Sequence, residues 1–298
     1  MGRPIPSIRR LVQKCILKPY NQKIMAIQDK AAMFMLSCDK YSDLWDDFFN
    51  LKERFWPDCP YKWYLVTESK DFERNGVTLI KCGKELDWAG RLRFALNSVD
   101  ASYIGLFLDD SFLEKTIDTA IIEGLIDFMS EKQVSFISTE KVKPEIANNP
   151  NREYFADYLV KIPPHTKYGL DTLGAIWDKN YLLEKLGNDD YNAWQFEINL
   201  CNEALSEEGY NGIILADERL PFNISKVPVV IIGKVYPPSV KHFKSLGYDI
   251  LTSRERMSSI EAWKWRLKTR LEENTKHGRK VMKWFARTFM GYKFFTEG

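Results

Sequence analysis

Tyr103-Ile-Gly-Leu-Phe-Leu-Asp-Asp110 decides the reading of this 298-residue chain. An apolar run that ends abruptly in two carboxylates is the pattern of a buried strand delivering charge to the edge of a sheet. The segments before it fit that sheet. Ala31 to Cys38 reads as a first buried strand, followed by the polar turn Asp39 to Asp43. Leu44, Phe48, Leu51 and Phe55 recur at helical spacing until Pro57 stops them. Tyr61 to Thr67 and Val77 to Cys82 read as strands, and Trp88 to Val99 as an amphipathic helix. Beyond the aspartates, Ile117 to Met129 is helical and Val134 to Ser138 is strand again. This β-α-β-β-α-β-α-β order predicts an α/β fold, a Rossmann-like, mainly parallel sheet flanked by helices.

Past residue 140 the regularity falls. Lys143 to Arg152 is polar and reads as a loop, Tyr158 to Ile162 and Leu173 to Trp177 as strands, and Tyr181 to Leu186 as a short helix. Ala193 to Glu207 is expected to be a helix, and Val227 to Ile232 a strand that Pro228 confines to an edge or a strand start. Two basic, amphipathic helices, 258–276 and 279–290, close the chain. The expected organisation is a main body over 1–253, whose less regular part is roughly 141–253, and a basic helical appendage over 254–298.

Composition narrows the class. A hydrophobic share of 45% is enough to bury a large core, and the net charge of +2 hides a segregation. Residues 1–30 carry seven Lys/Arg against one Asp, and residues 254–298 carry twelve against five Glu. The stretch between holds 24 basic and 35 acidic residues, so an acidic body has two basic ends. A nucleic-acid binder places its basic surface on the reading domain, and no nucleic-acid partner is expected. Cys15, Cys38, Cys59, Cys82 and Cys201 are scattered without a CxxC pair, which suits reduced thiols and a cytoplasmic protein. No apolar run approaches the roughly 20 residues of a spanning helix, and no signal peptide is expected.

Carboxylates at the carboxyl end of such a strand suit a hard divalent cation, Mn²⁺ or Mg²⁺, held against a nucleoside diphosphate. The bland alternative has Asp109 capping the next helix and Asp110 in solvent. An aspartyl-nucleophile phosphatase needs Asp-x-Asp-x-Thr, but Ser111 stands where its second Asp belongs. A Walker motif is absent, which disfavours a P-loop kinase.

Five motifs recur in order: Cys38-Asp39-Lys-Tyr41, Trp56-Pro-Asp58, Trp88-x-x-Arg91, Leu106-Phe-Leu-Asp-Asp110 with Phe112-Leu113, and Trp194-Gln-Phe-Glu197. Together, over roughly residues 30–250, the chain resembles bacterial GT-A-fold glycosyltransferases of capsular polysaccharide and lipopolysaccharide O-antigen biosynthesis. One departure is visible: the usual metal motif of that family is Asp-x-Asp, and here the carboxylates are adjacent. The resemblance implies a hexosyltransferase using a nucleoside diphosphate sugar, with UDP the expected carrier and Asp109 and Asp110 as metal ligands. It implies that Asp39, Lys40 and Tyr41 receive base and ribose, Tyr41 by stacking, and that Trp88 and Arg91 meet the diphosphate. Glu197 becomes the candidate general base for an acceptor hydroxyl, with Trp194 and Phe196 as the wall on which a sugar stacks. A first-turn helix glutamate beside a core tryptophan is the alternative there. His165 is a further candidate contact to the acceptor, diphosphate or metal, and Lys241 and His242 weaker ones for phosphate.

The closing helices carry Ile260, Trp263, Leu267 and Leu271 on one stripe and Val281, Phe285 and Phe289 on another, opposed by Lys and Arg. That pattern describes an interfacial helix, and peripheral contact with the inner face of the cell membrane would suit a glycan acceptor on a polyprenyl carrier. A helical hairpin packed on the body or in an oligomer interface is the alternative. A non-catalytic membrane-surface scaffold with a degenerate nucleotide fold is the alternative for the whole chain.

Overall fold

In a computed structural model the described residues are 30–142, 144–156, 158–163, 166, 169–206, 210–215 and 220–274. His165, the N-terminal basic segment and the helix expected over 279–290 lie outside them. Residues 1–224 and 225–298 form two compact units. The boundary drawn from sequence at 253/254 lies inside the second.

The first unit is built on a nine-stranded sheet with the order β3-β2-β1-β4-β8-β5-β9-β7-β6. Strands β1 (Ala31–Leu36), β2 (Lys62–Thr67), β3 (Val77–Lys81) and β4 (Tyr103–Leu108) run parallel. They are joined through helices α1 (Trp45–Phe55) and α2 (Trp88–Asn97), and α3 (Thr119–Lys132) follows β4. Strands β5 (Phe136–Lys141) and β9 (Gly212–Leu215) keep that direction. Strand β8 (Ala175–Asp178) is wedged antiparallel between β4 and β5, and β7 (Leu159–Lys161) is antiparallel between β9 and β6 (Tyr154–Ala156). The protein is therefore α/β with a large, mostly parallel sheet, as the order of elements predicts. The stretch expected to be a loop at 143–152 holds a one-turn helix, α4 (Pro144–Ala147).

All six residues of β1 are buried because helices cover both faces of the sheet. Alternation then sorts side chains into two cores. Ala32, Phe34 and Leu36 pack with Leu92, Ala95 and Leu96 of α2. On the opposite face an aromatic block forms, with Trp63 5.1 Å from Phe107, Phe107 4.8 Å from Phe222, and Phe48 5.6 Å from Trp63. Trp56, fully buried, donates its indole N–H to Thr119 Oγ1 at 2.9 Å. After β8, α5 (Lys179–Leu186) leads through a short loop to α6 (Ala193–Ser206).

The second unit opens with a hairpin of two-residue strands, β10 (Val230–Ile231) and β11 (Lys234–Val235). Its turn residues Ile232 and Gly233 both have positive φ, 51° and 76°, the conformation such a turn demands. The six-residue strand expected at 227–232 is reduced to two residues. Helix α7 (Pro237–Ser245) and helix α8 (Ser259–Asn274) come next. They close on a small core of Ile231, Tyr236, Met257 and Ala262. Among the described residues no helix is long and apolar enough to cross a membrane.

Candidate active site

Strand order reverses at β1: β2 and β3 lie to one side, β4 and its neighbours to the other. In open α/β sheets ligands bind outside the carboxyl ends of the strands at such a switch point. Register places the residues there. Leu36 pairs with Leu108, so Ser37 and Cys38 leave β1 beside Asp109 and Asp110 leaving β4.

Asp109 is 8% exposed and accepts a 2.6 Å hydrogen bond from the Ser37 hydroxyl. Ser37 Oγ in turn accepts the indole N–H of buried Trp45 at 2.7 Å, which fixes the hydroxyl as a donor to the carboxylate. Asp110 is half-buried in the following turn, closed by Ser111 N–H to Leu108 O at 3.0 Å. The Ser111 hydroxyl accepts the Leu108 N–H at 3.1 Å, so the serine shapes the loop. Burial, then the Asp109 charge, pushes the Cys38 thiol above its usual value and keeps it protonated.

Asp39 does something the sequence did not suggest. Its Oδ1 accepts from the Thr67 hydroxyl (3.1 Å), Ser69 N–H (3.0 Å) and Lys70 N–H (2.9 Å), and its Oδ2 from the Ser69 hydroxyl (2.6 Å). Burial pushes the carboxyl up, but these bonds outweigh it and hold Asp39 well below the usual carboxylate range. The residue read as a base-binding group therefore clamps the turn after β1 to the turn after β2. Lys40 is exposed and Tyr41 half-buried in the same 3₁₀ turn, Asp39–Leu44.

Glu68, immediately after β2, was not singled out from sequence. Its Oε2 accepts the Asp39 N–H at 2.9 Å and its Oε1 pairs with Arg91 Nη1 at 3.3 Å. The rule that found Asp109, a carboxylate just past a parallel strand, applies equally to Glu68. Arg91 is 7% exposed and also donates to Leu86 O at 2.7 Å, yet its Nε has no partner. Trp88 Nε1, one turn earlier on α2, is likewise buried and unpaired. Two orphan donors on the first turns of α2 are unusual, because buried polar groups are nearly always satisfied.

The start of α2 is held by another residue missed in the sequence. Asp190 accepts the backbone N–H groups of Asp87 and Gly90, both at 2.8 Å. Gly90 permits this: a Cβ there would lie 2.8 Å from the Asp190 oxygens. Gly90→Ala is expected to expel the carboxylate and cost about 1 kcal/mol, the worth of a helix cap. Asp190→Ala should cost a similar amount, and the double variant little more, because the two changes remove one interaction. Thermal melts of the three proteins check this.

The Asp190 loop leads into α6, and Phe196 packs its ring on Trp88 at 5.3 Å, bringing the first turns of α2 and α6 together. Phe196 is fully buried between Trp88 and Trp177, so its ring belongs to the core and offers no face to an acceptor. Trp194 is 78% exposed and Glu197 half-buried on the same helix. Further along the sheet edge, the Ser138 hydroxyl donates to Asp171 at 2.8 Å. Lys241 and His242 belong to the second unit. Among the described residues no group of three or more His, Cys, Asp or Glu forms a ready metal cage. Asp109 and Asp110 offer the oxygen donors a hard cation prefers, in the number that suits a site completed by substrate phosphates.

No protein-family model matches the chain, and no curated protein matches it. Solved structures with a similar chain path include the bifunctional IspDF from Campylobacter jejuni, at 13% identity and TM-score 0.37. The match covers 67% of this chain and 52% of that one. S. aureus TarS is similar at 11% identity and TM-score 0.40, over 63% of this chain and 35% of that one. A UDP-glucose pyrophosphorylase complexed with UDP-glucose is similar at 10% identity and TM-score 0.39, over 63% and 90%. The chain thus spans about half the length of the first and about a third of the second.

Proposed function

We propose that the chain is a glycosyltransferase that moves a hexose from a nucleoside diphosphate sugar, with UDP the first carrier to test. The acceptor is a lipid-linked or growing surface polysaccharide at the inner face of the cell membrane. The observation that carries this reading is the buried Asp109 beside Asp110 at the carboxyl end of β4, on the β1/β4 switch point.

Each residue then has a task. Tyr41 and Lys40 meet the base and ribose, on a turn that Asp39 and Glu68 hold rigid. Arg91 and Trp88, on the first turns of α2, are the residues assigned to the diphosphate, the guanidinium matching phosphate oxygens. Asp109 and Asp110 would hold Mn²⁺ or Mg²⁺, which when bound neutralises charge on the departing nucleoside diphosphate. Ser37 keeps Asp109 in place by donating to it. Glu197 takes the proton from the attacking hydroxyl, and Trp194 gives the exposed ring on which the acceptor sugar stacks.

Calorimetry of UDP against the full chain, with Mn²⁺ and with EDTA, followed by donor hydrolysis over a nucleotide-sugar panel, tests the proposal. Binding that strengthens with the cation, and turnover of at least one donor, is expected. Absence of heat with every nucleoside diphosphate in both conditions would overturn it and leave the non-catalytic scaffold.

A further inference from the structure

Helices α7 and α8 of the second unit line an open groove of about 610 Å³ that the chemistry above does not use. Pro237, Pro238 and Ala262 give it a mostly apolar lining, to which Lys241, His242 and Arg266 add their polar ends. Residues 225–274 carry ten Lys/Arg against five Asp/Glu. Of these acids, Glu255 and Glu261 both pair with Lys234, at 2.9 and 3.0 Å, and Asp249 lies 3.9 Å from Lys244. Glu261 also caps α8 by accepting the Ser258 N–H at 2.7 Å, which with Lys234 lowers its pKa to about 2. Among the described residues neither Lys241 nor Arg266 has an ion-pair partner.

Helix α8 has a second feature beside the groove. Ala262 is buried, and Trp265 packs on Tyr236 at 5.2 Å, so that face points to the small core. Ile260, Trp263 and Leu267 share another face and are 67%, 56% and 44% exposed. At 100° per residue, Ser259 and Arg266 fall between the two faces. The groove therefore opens along the flank of an apolar stripe. Positive charge next to exposed Trp, Ile and Leu matches the layering of a membrane surface, where phosphate lies just outside the acyl region.

We propose that the α7–α8 groove is a phosphate-binding site for an anionic lipid headgroup, with Ile260, Trp263 and Leu267 entering the lipid beside it. The phosphate chemistry stands on the groove itself, whereas its lipid source rests on the membrane-surface part of the function proposed above. Two measurements on the full chain separate them: calorimetry with inorganic pyrophosphate in EDTA, and cosedimentation with phosphatidylcholine vesicles with and without phosphatidylglycerol. Wild type is expected to bind pyrophosphate and the anionic vesicles. Lys241→Ala/Arg266→Ala should remove the groove's share of the pyrophosphate heat, leaving only what Arg91 accounts for, and weaken vesicle binding by about 30-fold, since each cation near an anionic leaflet contributes about fivefold. Trp263→Asp should lose the vesicles and keep pyrophosphate, and Lys264→Ala should keep pyrophosphate. Vesicle binding indifferent to the Lys241/Arg266 pair would overturn the groove and leave the membrane reading intact. Groove-dependent pyrophosphate binding without vesicle binding would keep the phosphate site and overturn its lipid source. Failure to bind either overturns the whole proposal.

Discussion

Asp110→Ala is expected to lower donor turnover by roughly 10²–10³-fold, the loss seen when a group stabilising developing charge is removed. Its melting temperature should shift by only a few degrees, because Asp110 lies in a turn held by Ser111 and Leu108 backbone bonds. Asp109→Ala should lose turnover as deeply and lose stability as well. It takes from the buried Ser37 hydroxyl, already receiving Trp45, its short carboxylate acceptor and leaves only the 3.4 Å contact to Cys38 O, at about 1–3 kcal/mol. The contrast between the two aspartates separates chemistry from scaffolding. Steady-state hydrolysis of the donor and thermal melts measure both. Unchanged turnover in Asp110→Ala removes the proposed site.

Asp39→Ala is the second large effect, and it falls on stability. Four hydrogen bonds converge on this carboxylate, tying the β1 turn to the β2 turn across the rim of the sheet. Loss of about 2 kcal/mol is expected, given that bonds to a charged acceptor each contribute about 1.5–3 kcal/mol before solvent exposure discounts them. For a unit of this size that lowers the melting temperature by roughly 4–8 °C. The lowered pKa sets the pH dependence. The unfolded carboxyl titrates near 3.9, about the ordinary value. Asp39 therefore contributes fully above that pH, and its share fades as the pH falls through the lower, folded value. The melts of wild type and Asp39→Asn should keep their separation from about pH 6 to about pH 4 and begin to converge only as the pH falls below the ordinary carboxyl value. Curves that stay parallel would show that the clamp contributes nothing as an ion.

Much of the site was legible because one rule is local. A run such as Tyr103 to Leu108 must be buried, and the residues after it must emerge at the sheet edge. That located Asp109 and Asp110, and the same logic extends to Glu68. The burial of Phe196, the capping of α2 by Asp190 and the clamping role of Asp39 were not legible. The two carboxylates find their partners 28 to 103 positions away, and periodicity carries no information about which partner a polar group will meet.

The amino-acid sequence alone determined the α/β class, the parallel β1–β4 half and the amphipathic basic α8. Burial of alternate or continuous apolar positions is a property of short segments. Only the tertiary structure decided that β8 and β7 enter antiparallel and that Gly212-Ile-Ile-Leu215 is a central strand. Strand direction and sheet order are set by which edges meet, and four apolar residues fit a strand as well as a loop anchor. The same holds for the stripe of α8. Its composition is written in the chain, but the choice of Ala262 and Trp265 for the core left Ile260, Trp263 and Leu267 facing outward. A helix with two apolar faces can bury only the one that finds a partner.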